Sequence, residues 1–128
     1  MKTTPENILT LEPHQVFVFG SNRAGRHGAG AAKLAHRKFG AKWGQGDGFM
    51  GQSYGISTKD RNLGVLSVRQ IEIGVDRLLR FAEAHPELEF LVTKIGCGLA
   101  GYSAKEIRAC FAGKVIPANV ALPAEFQS

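Results

Sequence analysis

Cysteine is scarce in this chain and long apolar runs are missing, and each absence excludes a class of protein. Two cysteines in 128 residues, Cys97 and Cys110, are too few for a disulfide framework. No cluster of His, Cys, Asp or Glu has the spacing of metal ligands. No apolar stretch is long enough to span a bilayer, and no signal-peptide pattern opens the chain. These absences predict a protein of a reducing, cytoplasmic compartment with no metal and no membrane contact.

The remaining composition is that of a soluble globular protein, with 44% hydrophobic and 21% charged residues. A chain of 128 residues is long enough for one domain with a hydrophobic core. Its net charge of +5 favours anionic ligands, nucleic acid included. The basic residues are scattered and do not form a stripe with aromatic residues, so a nucleic-acid-binding basic domain is the second alternative only.

Strand and helix patterns alternate along the chain. Residues 1–14 are polar with two prolines and are predicted to form a mobile N-terminal lead-in, and residues 15–128 the domain. Strand patterns occupy residues 15–20, 52–58, 88–95 and 119–122. Helix patterns occupy residues 28–39, the segment between Ser67 and Pro86, and residues 103–111. This order predicts an α/β sheet with helices on its faces, in which ligands bind at the carboxyl ends of the strands.

One glycine-rich loop, Gly96 to Gly101, follows the third of these strand patterns. Glycines allow positive φ and let the backbone approach a ligand, so the loop is a candidate cradle for a diphosphate. Ser103 and Glu106 then form a capping-box pattern, which places the loop at a helix N-terminus that suits an anion. A tight turn that needs glycine for its geometry alone is the alternative. The pattern matches neither the Walker loop nor the dinucleotide-binding fingerprint.

A second glycine-rich turn lies upstream, at residues 19–30. Asn22 is a candidate for a hydrogen bond to a ribose or to a phosphate-bearing group. Arg23 and Arg26 are candidates for phosphate contacts, and Gly28 and Gly30 allow close approach at the start of a helix. The alternative makes Asn22 a turn residue and both arginines solvated charges. Two such turns in one domain predict an extended, phosphate-bearing ligand.

Three further residue types are chemical candidates. Cys97 stands between two glycines and is either a nucleophile or, more often in proteins, a small packed residue. Lys59 follows a strand pattern and is either a nucleophilic amine or a surface lysine. Lys94 is placed inside a strand, where it contributes charge or extends to solvent. Four aromatic residues are candidates for stacking a base or for simple packing, with Tyr102 the best placed: Trp43, Phe49, Tyr54 and Tyr102.

These motifs resemble those of macro domains, the ADP-ribose-binding fold. The resemblance rests on Asn22 followed by Gly28-Ala-Gly-Ala-Ala32, and on Ile95-Gly-Cys-Gly-Leu-Ala-Gly-Tyr102. It covers most of the chain from Val16 to Leu122. The chain is most similar to the branch that includes the terminal ADP-ribose glycohydrolase and the DNA ADP-ribosyl glycohydrolase antitoxins.

The resemblance implies a three-layer α/β/α domain with a mixed, largely parallel sheet. It implies a ligand such as ADP-ribose or a related NAD-derived nucleotide, and no cofactor. The loop from Gly96 is expected to hold the diphosphate, with Gly28 to Gly30 opposite, Asn22 at the distal ribose, and Tyr102 or Phe19 beside a ring. The expected ligand-binding residues are Phe19, Asn22, Gly28, Ala29, Gly30, Gly96, Cys97, Gly98, Leu99, Ala100, Gly101 and Tyr102.

An enzymatic version of this function is the first alternative. The catalytic lysine of the branch stands in an Ile-Thr-Lys context, which Ile56-Ser-Thr-Lys59 resembles. The resemblance therefore implies an ADP-ribosyl glycohydrolase that removes ADP-ribose from protein or nucleic acid, with Lys59 as nucleophile. The glycohydrolase of the branch has an acidic residue directly after Ile-Gly-Cys-Gly-Leu, where this chain has Ala100. Binding is for that reason the first expectation and hydrolysis the second.

Overall fold

A computed structural model describes residues 2–127, which form one six-stranded sheet flanked by helices. The strand order is β1-β6-β5-β2-β4-β3, and every pairing is parallel except that of β3 with β4. This confirms the predicted α/β class and its mixed, largely parallel sheet. The strands are β1 (Lys2–Thr3), β2 (Gln15–Asn22), β3 (Gly48–Met50), β4 (Ser53–Lys59), β5 (Glu89–Val92) and β6 (Val120–Leu122).

The central strand β2 shows why helices cover both faces of the sheet. Successive side chains of a strand point to opposite faces. Val16 and Val18 pack in the cluster that contains the buried residues of the second and third helices, whereas Phe17 and Phe19 pack in the cluster of the first helix. The result is three layers, as expected. The helices are α1 (Gly30–Lys38), α2 (Val68–Ala84) and α3 (Ala104–Arg108), followed by a 3-10 turn, Ala124–Phe126.

Local signals in the sequence account for α2. The Ser67 side chain accepts a hydrogen bond from the Gln70 backbone, and the Gln70 side chain accepts one from the Ser67 backbone, so the predicted capping box is present. The apolar residues at helical spacing face the sheet and are buried. They are Ile71, Val75, Leu78, Leu79 and Ala82.

Several element bounds differ from the sequence prediction. Helix α1 begins two residues later than expected, and α3 has only five residues. Residues 41–51, for which no strand or helix pattern was predicted, contain β3, which pairs antiparallel with β4. Strand β5 ends at Val92, so Lys94 lies beyond the strand in which it was placed. Strand β4 includes Lys59 as its last residue.

The segment predicted as a mobile lead-in contributes to the sheet. Lys2 and Thr3 pair in parallel with β6, and the side chains of Thr4 and Ile8 are buried. Lys2 Nζ also donates to Glu89 Oε2 at 2.8 Å, on the first residue of β5. Within residues 2–127, no helix is both long enough and apolar enough to cross a membrane.

Candidate functional site

A cavity of about 590 Å³ opens at the carboxyl ends of β2, β4 and β5. Its size is within the range of small-molecule and cofactor sites. Both glycine-rich loops line it: Gly96, Gly98, Leu99 and Ala100 from one, and the segment from Gly28 to Ala32 from the other. The two glycine-rich loops therefore lie on the same cavity at this edge of the sheet.

The wall formed by the downstream loop contains backbone N–H groups without a hydrogen-bond partner in the described residues. Three bonds close the loop on itself, from Cys97 N to Lys94 O at 3.2 Å, from Gly101 N to Gly98 O at 3.0 Å and from Tyr102 N to Gly96 O at 2.9 Å. The remaining N–H groups have no acceptor anywhere in residues 2–127, and the residues that carry them all line the cavity. They belong to Gly96, Gly98, Leu99 and Ala100. An acceptor-only anion is the natural partner of such a set.

The opposite wall is the N-terminus of α1, which has no side-chain cap. Its N-cap residue Ala29 has no side-chain acceptor, whereas α2 and α3 carry full capping boxes. The N–H groups of Gly30, Ala31 and Ala32 find no acceptor in the described part of the chain. Gly30 has φ of +57°, a conformation that favours glycine. Because orphan N–H groups at a helix N-terminus carry partial positive charge, this wall also favours an anion.

Asn22 holds the turn that leads to this second wall. Its Nδ2 donates to Arg26 O at 2.8 Å, and its Oδ1 accepts from Arg26 N at 3.0 Å. Its own carbonyl accepts from Gly25 N at 2.9 Å. The structure thus shows the turn role that was the alternative for Asn22. Asn22 also lines the cavity, so contact with a ribose stays a prediction.

The charged side chains that line the cavity are Arg26, Lys59 and Lys94, and the described lining includes no carboxylate. Lys94 Nζ lies 2.7 Å from Glu125 Oε2, and this hydrogen bond raises the pKa of Lys94. Lys59 is half-buried, and among the described residues no carboxylate lies within ion-pair distance of it. No three His, Cys, Asp or Glu side chains in the same part of the chain gather as a metal ion requires.

Four of the predicted site residues do not line the cavity: Phe19, Cys97, Gly101 and Tyr102. Phe19 is completely buried between Phe17 and the edge of His27, so it presents no face to a ligand. The Tyr102 hydroxyl donates to Leu66 O, and its ring packs against the core on the α2 side. The expectation that Phe19 or Tyr102 lies beside a ligand ring is therefore wrong, because neither residue lines the cavity.

Cys97 lies behind the downstream loop and packs against the core on the α2 side. Burial raises the pKa of its thiol, and the nearby Lys94 offsets this only in part. A raised pKa leaves the thiol protonated near neutral pH, which is the opposite of an activated nucleophile. The packed-residue interpretation is the one that the structure supports.

Several residues that line the cavity were not in the expected ligand-binding set, and Trp43 and Leu63 are two of them. Trp43 lines the cavity with 59% of its surface exposed, although the sequence ranked Tyr102 above it. Leu63 lines the cavity with φ of +65°, the one positive φ outside glycine in residues 2–127. A tryptophan among glycines in a polar loop was a usable signal for the first. No sequence signal indicates a leucine in the left-handed region, because that conformation opposes its local preference.

Comparisons of the chain with protein-family models, with curated proteins and with solved structures found no match.

Proposed function

We propose that the cavity binds ADP-ribose or a related NAD-derived nucleotide, with the phosphates between the two glycine-rich loops. One observation carries the proposal: unpaired backbone N–H groups of Gly96, Gly98, Leu99 and Ala100 line the same cavity as the uncapped N-terminus of α1. Phosphate oxygens only accept hydrogen bonds, so donors on two walls suit a diphosphate better than an uncharged ligand. The likeness of both loops to those of macro domains supports the choice of nucleotide.

The charges of the cavity support the same class of ligand. Arg26 and Lys59 line it on the side of β2 and β4, and Lys94 lies past the end of β5. The described lining residues include no Asp or Glu, and of the three cations only Lys94 is ion-paired, with Glu125, so Arg26 and Lys59 attract a bound diphosphate. The 590 Å³ volume accommodates a ligand larger than inorganic phosphate.

Calorimetry with ADP-ribose tests the proposal, and Gly98 offers a matched pair of variants. A Cβ added at Gly98 meets no atom within 4 Å, and its φ is not positive, so a longer side chain is tolerated there. Gly98→Gln and Gly98→Glu have nearly the same shape and differ in charge. We expect Gly98→Glu to weaken binding at least about tenfold more than Gly98→Gln, because the carboxylate repels the diphosphate.

Two results contradict the proposal. Absence of heat with millimolar ADP-ribose, for a folded wild-type chain, rules out this ligand. Equal affinities of the two Gly98 variants show that no phosphate lies near the downstream loop. A third result favours the basic-domain alternative. In that result the protein does not bind ADP-ribose but binds unmodified nucleic acid, with an affinity that falls steeply as the salt concentration rises.

ADP-ribosyl hydrolysis is a second candidate, favoured by the placement of Lys59 in the cavity without an ion-pair partner in the described residues. In the reaction we propose, the Lys59 amine forms a bond to the anomeric carbon of the distal ribose. The glycosidic bond breaks, its electron pair leaves with the modified group, and that group takes up the proton that the Lys59 nitrogen loses. A water oxygen then bonds to the anomeric carbon, the carbon–nitrogen bond breaks, and a proton of the water returns to the Lys59 nitrogen as ADP-ribose is released. Lys59→Ala is expected to abolish release of ADP-ribose from modified protein or nucleic acid while binding persists, and unchanged turnover would exclude Lys59 from the reaction.

A further inference from the structure

We propose that Trp43 is the stacking platform for the nucleobase of the bound ligand. The inference rests on the proposed function and adds to it where the nucleobase of the ligand binds. Trp43 lines the cavity together with the N-terminal segment of α1, so a ligand whose phosphates lie at that terminus has its remaining atoms within the same space.

Trp43 is exposed to an extent that packing does not explain. The exposed fraction is 59%, and Trp43 belongs to neither hydrophobic cluster of buried residues. Tryptophan carries a large apolar surface, and leaving it in water forgoes the burial that most tryptophans obtain. A large exposed ring on the wall of a cavity is best accounted for by a ligand that covers it.

Two histidines anchor the loop that carries Trp43. His27 Nε2 donates to Lys42 O at 2.8 Å and to Gln45 O at 2.9 Å, on either side of Trp43. His36 Nδ1 donates to Ala41 O at 2.8 Å. Since carbonyl oxygens only accept, these ring nitrogens carry protons. The backbone on both sides of Trp43 is thus held before any ligand arrives.

The same two histidines orient the indole ring. The ring of His27 lies 6.2 Å from the ring of Trp43 at an interplanar angle of 83°, and that of His36 lies 5.7 Å away at 63°. Contacts of this kind restrict the tilt of the indole, which keeps 59% of its surface exposed. Because the loop and the ring are already ordered, a nucleobase that stacks on Trp43 costs little further conformational entropy.

A nucleobase fits the platform better than an aliphatic group does. Every base has a π face, and stacking of a base on an aromatic side chain strengthens binding by roughly fivefold to a hundredfold. Arg26 and the unpaired N–H groups of α1 line the cavity with Trp43, so one molecule that carries both phosphate and base satisfies both features.

The single tryptophan of the chain provides a direct measurement. Emission from Trp43, excited at the red edge of the indole band where adenine does not absorb, is followed during titration with ADP-ribose, ADP and ribose 5-phosphate. We expect ADP-ribose and ADP to quench the emission at saturation, and ribose 5-phosphate, which has no base, to leave it unchanged. Equal quenching by all three ligands would overturn the proposal, because the quenching would then not depend on the presence of a base.

Calorimetry of variants supplies an independent test. We expect Trp43→Ala to weaken ADP-ribose binding about tenfold and Trp43→Phe to weaken it less, because the smaller ring still stacks. Phe49→Ala is the control, since Phe49 is an exposed aromatic residue, at 41%, that contacts Phe81 and does not line the cavity. Circular dichroism melting curves verify that each variant is folded.

The outcomes separate this inference from the proposed function. If wild-type protein binds ADP-ribose with measurable heat but Trp43→Ala binds equally well, the platform is wrong and the proposed function stands. If the wild-type protein gives no heat and no quenching, both proposals fall.

Discussion

The side-chain amide of Asn22 bonds twice to the backbone of Arg26, with Nδ2 donating to its carbonyl and Oδ1 accepting from its N–H. This pairing closes the turn that connects β2 to the uncapped N-terminus of α1. The backbone of Gly46 packs so closely on the Asn22 carbonyl that a Cβ there would lie 1.9 Å from the oxygen. Asn22 therefore stabilises the turn that forms one wall of the cavity, independently of any contact with a ligand.

Replacing Asn22 by Asp tests this role. The carboxylate still accepts from Arg26 N, but it loses the donor and faces the Arg26 carbonyl with a negative oxygen. We expect the free energy of unfolding in urea to fall by about 1–3 kcal/mol. Asn62→Asp, at an exposed loop position, is the control and is expected to stay within about 0.5 kcal/mol of wild type. Equal stability of both variants would contradict the structural role of Asn22.

Leu63 is held in the left-handed region by a tight turn. Asp60 Oδ1 accepts from Asn62 N at 2.8 Å and from Gly64 N at 2.9 Å. Because this conformation costs a non-glycine residue about 1–2 kcal/mol, Leu63→Gly is expected to be more stable than Asn62→Gly by about that amount. The neighbouring variant controls for the greater entropy of glycine in the unfolded chain. Denaturation of both variants in urea gives the difference, and identical values would mean that Leu63 is not strained.

The two thiols are expected to react slowly. Burial raises the pKa of Cys97, and burial raises that of Cys110 to about 11, with Glu72 adding to the effect. A raised pKa lowers the thiolate fraction at pH 8, and only the thiolate reacts with iodoacetamide. Mass spectrometry at pH 8 should therefore show slower labelling of both cysteines in the native protein than in the urea-unfolded chain. Labelling of Cys97 that is faster in the native state would restore it as a candidate nucleophile.

Acid should weaken the attachment of the N-terminal strand. The hydrogen bond from Lys2, and next the one from Gln15, holds the pKa of Glu89 below its ordinary value of 4.5. A pKa lowered by folding contributes stability that is present above 4.5 and is lost as the pH falls through the folded value. Glu89→Gln is expected to flatten the acid limb of the curve of unfolding free energy against pH. Glu87→Gln, at an exposed position without a hydrogen bond in the described structure, should leave that limb unchanged.

Features that depend on neighbouring residues in the chain were predictable. The strand pattern of β2, the helical spacing and cap of α2, and the capping box of Ser103 and Glu106 all have local causes, and each is present. The parallel strands and the cavity at their carboxyl ends agree with the alternation of elements, because parallel neighbours need a crossover connection.

The lengths of the elements were less predictable. Strand β3 has three residues and forms because the edge of β4 is free to pair with it. Three residues are too few to show a hydrophobic period, so the sequence of residues 48–50 does not predict this pairing. The pairing of Lys2 and Thr3 with β6 joins residues more than a hundred positions apart. Such short strands exist because a partner strand is available, and local sequence does not show that.

Sequence by itself thus determined the α/β layers and the two glycine-rich loops, because hydrophobic period and glycine position act over a few residues. Tertiary structure alone decided which aromatic ring faces the cavity. Phe19, Trp43 and Tyr102 are similar in chemistry, and their exposure depends on what packs against each of them. His27 and Phe17 cover Phe19, Tyr102 packs against the core on the α2 side, and Trp43 keeps 59% of its surface exposed, because burial depends on the neighbours that the fold assembles.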